Sequence, residues 1–129
     1  MQYRFTRTPH DQPRIIEGLS ITKAGRIGLS KHFITTHGIE RGTRAYMYWD
    51  ANAKALALAF TRKADATAYP VLFTKQHGAF VTASRFFRSH HLDPAEHARR
   101  YPYLELNGRD VGVEADARVF VVELSRPTA

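Results

Sequence analysis

A fifteen-residue stretch returns, in degenerate form, later in the chain. Gly25-Arg-Ile-Gly-Leu-Ser-Lys-His-Phe-Ile-Thr-Thr-His-Gly-Ile39 is echoed 53 positions on by Gly78-Ala-Phe-Val-Thr-Ala-Ser-Arg-Phe-Phe-Arg-Ser-His-His-Leu92. Gly25/Gly78, Phe33/Phe86 and His37/His90 are identical, and Ile27/Phe80, Ile34/Phe87 and Ile39/Leu92 stay apolar. A second echo links Asp50–Arg62 with Glu114–Arg126, now 64 positions apart. Two echoes in the same order point to a duplicated supersecondary unit, whose second copy carries 11 extra residues between them. The chain therefore reads as two related halves.

Length sets the same limit. A chain of 129 residues is one domain, or one domain made from two halves, and it buries roughly two thirds of its unfolded surface. An apolar content of 43% with 12% aromatics argues against disorder. With no cysteine, disulfides and thiolate metal sites are excluded. The first residues form no apolar signal-like stretch, and the longest purely apolar run is Ala55 to Phe60. The reading is a cytoplasmic protein with neither a secretory signal nor a membrane span. A net charge of +7 and a pI near 10.1 point to a polyanionic partner. Residues 1–62 carry ten Lys/Arg against four Asp/Glu, and residues 63–129 nine against eight. The first half is the electropositive one.

Local signals divide the chain into a basic arm (1–14), a first unit (15–65) and a second unit (66–129). Two prolines in the arm oppose a regular element. Strands are expected from Ile15 to Ile21 and from Arg26 to Leu29 around the turn Lys23-Ala24-Gly25. Ser30 is a good N-cap for a helix over Lys31–His37, with Gly38 as the left-handed residue that ends it. Thr43–Trp49 alternates Ala45/Met47/Trp49 against Tyr46/Tyr48. Asp50–Ala53 reads as a hairpin turn, and Leu56, Leu58 and Phe60 as a strand despite the helix preference of the alanines between them. The second unit repeats the order: strand Tyr69–Thr74, turn Gln76-His77-Gly78, strand Ala79–Thr82, helix Ser84–His90, and His91 in the place of Gly38. Asp93-Pro-Ala-Glu96 begins an inserted helix expected to run to Arg100. Strands follow at Tyr103–Leu106, Val111–Val113 and Arg118–Leu124. The fold class is mostly β with short helices.

Catalytic and metal-binding patterns are weak. Seven histidines (His10, His32, His37, His77, His90, His91, His97) show no HExxH-type spacing, and His37 and His90 sit at helix ends where packing and the helix dipole account for them. Ser30, Ser84 and Ser89 lack a Gly-x-Ser-x-Gly elbow, and no phosphate-binding glycine loop occurs. No cofactor and no reaction is nominated. The remaining signal is basic-aromatic interleaving: Arg4-Phe5, Arg7, Arg14, Lys23, Arg26 and Arg44-Ala-Tyr46-Met-Tyr48-Trp49. Arginines on turns can reach phosphates or base edges, whereas the alternation of Trp49 and Phe33 fits core packing.

The first half resembles the swapped-hairpin DNA-binding family that includes AbrB, MraZ and SpoVT. The matching elements are Gly25-Arg26, Ile27–Leu29, Lys31–His37, Gly38-Ile39, Arg41-Gly42 and an acidic hairpin tip at Asp50, without gaps over residues 21–60. The second half matches only through residues 78–92 and 114–126. Family members usually have Pro where Ser30 stands and basic helix residues where Ile34 and Thr35 stand. Among those helix positions only Arg88, in the second copy, is basic, and Ala79 replaces Arg26 there. The resemblance implies two β-β-α-β-β units interleaved into one pseudo-two-fold barrel. It further implies a DNA-binding transcriptional regulator or antitoxin-like autorepressor, a non-enzyme able to form homo-oligomers. Its duplex contacts would centre on Arg14, Lys23, Arg26, Arg44 and Arg88. A protein-interaction or assembly module on the same barrel is the other reading.

Overall fold

The computed structural model describes Phe5 and residues 18–75, 78–113 and 118–124. Nine strands and two short helices follow one another: β1 (Gly18–Ile21), β2 (Arg26–Leu29), α1 (Lys31–His37), β3 (Arg44–Asp50), β4 (Ala55–Thr61), β5 (Tyr69–Phe73), β6 (Ala79–Thr82), α2 (Ser84–Ser89), β7 (Arg100–Pro102), β8 (Leu104–Asn107) and β9 (Arg118–Glu123). The strands form one antiparallel sheet in the order β7-β1-β2-β6-β5-β3-β4-β9-β8. Its two end strands, β7 and β8, are separated in the chain by Tyr103 alone. The sheet thus wraps into a nearly closed barrel around Leu19, Ile27, Leu29, Phe33, Leu58, Val81, Phe87 and Tyr101, all essentially inaccessible to solvent. Removing each such side chain from water contributes about 1.5–3 kcal/mol.

Local chemistry accounts for the elements. Ser30 Oγ accepts from Phe33 N at 3.1 Å, and Gly38 ends α1 at φ 62°. His91 takes the equivalent left-handed conformation after α2, at φ 57°. Asp50 Oδ1 accepts from Asn52 N and Ala53 N, tying the turn between β3 and β4. The alanines of β4 are held extended because β4 is bonded on both sides, to β3 and to β9. Ala57 and Ala59 stand opposite Tyr48 and Tyr46, where a methyl group leaves room for each phenol ring. Packing overrides the helix propensity.

Every strand of the first half is also paired with a strand of the second. β2 meets β6 with Arg26↔Thr82 and Leu29↔Ala79, and β4 meets β9 with Leu56↔Val122 and Leu58↔Phe120. β1 is bonded to β7 and β3 to β5.

Two expectations are corrected. The inserted helix does not reach Arg100: only Pro94–His97 is helical, as one 3-10 turn capped by Asp93, and Arg100 starts β7. The reason is the sheet: Ile21 N donates to Arg99 O at 2.9 Å, and Tyr101 is fully buried with its hydroxyl on His97 O. Val111–Val113 is not a strand. Asn107 Oδ1 accepts from Arg109 N and folds Gly108–Val111 into a 3-10 turn, closed by Gly112. That side-chain-to-backbone bond outcompetes a strand too short to find a ladder partner. The arm (1–14) apart from Phe5, Ile15–Glu17, Gln76-His77, Glu114–Ala117 and residues 125–129 lie outside the described residues.

Candidate nucleic-acid interface

The turn between β1 and β2 is built from Thr22. Its hydroxyl accepts from Arg26 N at 3.1 Å, its N–H donates to Arg26 O at 2.9 Å, and its carbonyl accepts from Gly25 N at 3.0 Å. Lys23 is exposed on this turn, and Arg26 leaves it onto the outer face of the sheet. There the Arg26 guanidinium lies 4.6 Å from the centre of the Phe80 ring, a cation–π contact that orients the side chain while leaving its donors outward. Among the described residues no carboxylate pairs with Lys23, Arg26 or Arg85.

Strand register places further residues on the same face. Arg100, Ser20, Gly28, Phe80 and Leu72 form one row across β7, β1, β2, β6 and β5. Five strands spaced about 4.8 Å apart make this row about 19 Å wide. Gly28 and Ser20 keep its centre low, with the arginines and Phe80 rising beside them. A neighbouring row runs from Arg26 through Thr82 and Pro70, next in register on β6 and β5, to Arg44 on β3. The start of α2 is bonded to the β1–β2 turn through Ala83 N and Gly25 O, at 2.8 Å, which brings exposed Arg85 to the same end of the sheet. Arg88 is exposed one helical turn farther along α2. Arg14 lies outside the described residues.

Arg44 also anchors the loop before β5. It is half-buried and donates from Nη1 to Asp65 O at 3.1 Å. The Asp65 carboxylate accepts from the Tyr46 hydroxyl at 2.6 Å, and from Thr67 N and the Thr67 hydroxyl at 2.9 and 2.7 Å. Chiefly because Tyr46 donates to it, with Thr67 next, this carboxyl is held at about 2, below its ordinary 3.8. The stabilisation it gives is complete above the ordinary value and is lost as pH falls from there toward 2. Tyr46→Phe is expected to raise the Asp65 pKa and to move the acid-unfolding midpoint, followed by circular dichroism, to higher pH. Asp65→Asn should remove the same part of the pH dependence. A Tyr46→Phe midpoint identical to the unsubstituted chain's would mean that the bond does not form in solution.

Sequence reasoning missed Arg100, assigned there to a helix, and Arg85 and Phe80. Phe80 aligns with buried Ile27 in the repeat, yet it stands across from Gly28 on the outer face, and Val81 faces Ile27 inside. Period-two alternation over Ala79–Thr82, with Val81 inward, was the signal for that placement. The histidines do not converge: among the described residues no three His, Cys, Asp or Glu side chains come together as metal ligands. His37 Nε2 lies 3.0 Å from the Tyr103 hydroxyl, and the His90 ring stacks beside Trp49 and Phe86.

The chain matches no protein-family model, and no curated protein or solved structure is significantly similar to it. Among the described residues no helix is long and apolar enough to cross a membrane.

Proposed function

We propose that this chain is a duplicated swapped-hairpin barrel that binds duplex DNA through the outer face around Arg26, as a transcriptional regulator or antitoxin-like autorepressor. The observation that carries the reading is Arg26 fixed over Phe80, with Arg100 and Arg85 gathered beside it from the other half. Guanidinium groups on a low sheet face suit phosphate contact, and an oriented one suits a base edge. Duplication is supported by the faces of β4 and β9 at the second echo. A 64-position shift carries Leu56 and Leu58 of β4 onto Phe120 and Val122 of β9, which face the same core, whereas a 53-position shift carries core-facing Ile27 onto outward Phe80.

The test is the salt dependence of binding to an arbitrary duplex. Each phosphate-contacting cation removed should flatten the slope of log affinity against log salt by about one unit. Lys23→Ala with Arg26→Ala is expected to flatten it by about two, and Arg85→Ala or Arg100→Ala by about one each. Lys54→Ala, in the turn between β3 and β4 and remote from this face, should leave it unchanged. Absence of binding at low salt would end the DNA reading. The assembly-module reading would then take its place, favoured by exposed Leu104, Leu106 and Val111 at the β8 end of the sheet.

A further inference from the structure

The two helix–sheet corners of the barrel are finished differently. At α2 the corner is filled: the Trp49 ring lies 5.8 Å from His90 and 6.4 Å from Phe86, and His90 packs 4.9 Å from Phe86. At α1 it is open. A hollow of about 570 Å³ lies between α1 and the β4-β9-β8 end of the sheet, lined by Thr36, His37, Phe60, Glu105, Arg118 and Phe120. That volume is within the range of small-molecule sites, which favour the mouths of β-barrels.

Chemistry in the hollow is layered. Its floor is aromatic: Phe60 and Phe120 lie 5.6 Å apart, with His37 4.6 Å from Phe120, and buried Phe33 packs beneath them at 5.1 to 6.0 Å. The His37 ring is held by the hydrogen bond to Tyr103, so this wall is fixed in orientation. At the rim Glu105 pairs with Arg118, whose side chain is 78% exposed and Glu105's only 30%. The carboxylate therefore positions the guanidinium, and the guanidinium, which has five N–H donors, turns the others to solvent. Edge and face contacts on the floor select a planar ring. The outward donors of a guanidinium select an anion, and its flat shape selects a carboxylate.

We propose that this open corner beside α1 is a binding site for a small aromatic carboxylate. The site lies apart from the Arg26 face and does not depend on the nucleic-acid reading. Calorimetric titration of the full chain, without DNA, with benzoate is expected to give saturable binding with a Kd on the order of 1 mM, a typical scale for a ligand of this size. Arg118→Met keeps the stem but removes the cation, and should weaken benzoate about tenfold or more. Thr36→Trp, at an exposed helix position beside the hollow, should fill it and abolish binding while leaving the thermal transition in place. Benzylamine, which has the ring but carries a positive charge, and acetate, which has the carboxylate but no ring, should not bind. The proposal is overturned by unsaturable benzoate heats up to about 20 mM, some 20-fold above the expected Kd. It is equally overturned if benzylamine binds as well as benzoate, or if both folded variants bind benzoate like the unsubstituted chain.

Discussion

Residues 1–65 expressed alone are expected to give no folded monomer. What remains in that fragment is two hairpins and a seven-residue helix, and each such piece is marginal in water without a partner. The ladders that complete them are all in the other half: β6 for β2, β7 for β1, β5 for β3 and β9 for β4. So are Val81, Phe87, Tyr101 and Val122, which close the core over Leu19, Ile27 and Leu56. The expected loss is the whole cooperative stability, about 5–15 kcal/mol for a domain of this kind. Circular dichroism and sedimentation should find the fragment unfolded or self-associated, and adding residues 66–129 should restore the native spectrum. A stable folded monomer of 1–65 would break the interleaved barrel and favour two independent domains.

The second large effect is expected at Gly78. Its φ is +89°, and a Cβ there would run into the carbonyl oxygen of Leu29 and come within 3.0 Å of Lys31 N and the Ser30 carbonyl carbon. These are backbone atoms at the β2–α1 junction, which cannot swing aside as a side-chain tip can. The Gly78 carbonyl is also fixed, accepting from Thr74 N at 2.8 Å and from its hydroxyl at 3.1 Å. Gly78→Ala is therefore expected to lower the unfolding free energy by about 3 kcal/mol or more, combining left-handed strain with collision. Gly42 separates the two contributions: its φ is +88° but a Cβ there would meet nothing within 4 Å. Gly42→Ala should cost about 1 kcal/mol. Equal, small losses in urea unfolding of the two variants would mean that the β5–β6 turn is not seated on the β2–α1 junction.

Much of the fold was legible where the deciding contact is local. The cap at Ser30, the left-handed residues at Gly38 and His91, the Asp50 turn and the Asp93-Pro94 start all rest on bonds spanning four residues or fewer. Lys23 and Arg26 were legible in the same way, because a turn exposes what it carries. Arg44 was legible as a basic residue on a strand, but not as the donor that secures the Asp65 loop from 21 positions away.

The sequence by itself determined most of the element types, the two echoes and the concentration of positive charge in the first half, since each is a property of neighbouring residues or of composition. Only the tertiary structure decided which strand lies beside which. With that came the conversion of Arg100 from an expected helix end to a strand residue, and the placement of Phe80 beneath Arg26. It also left one helix corner filled by Trp49 and the other open at Glu105 and Arg118. The physical reason is that backbone donors and acceptors are alike at every position. A strand's partner is chosen by which pairing buries the most apolar surface at once, and that sum exists only when both halves are in place.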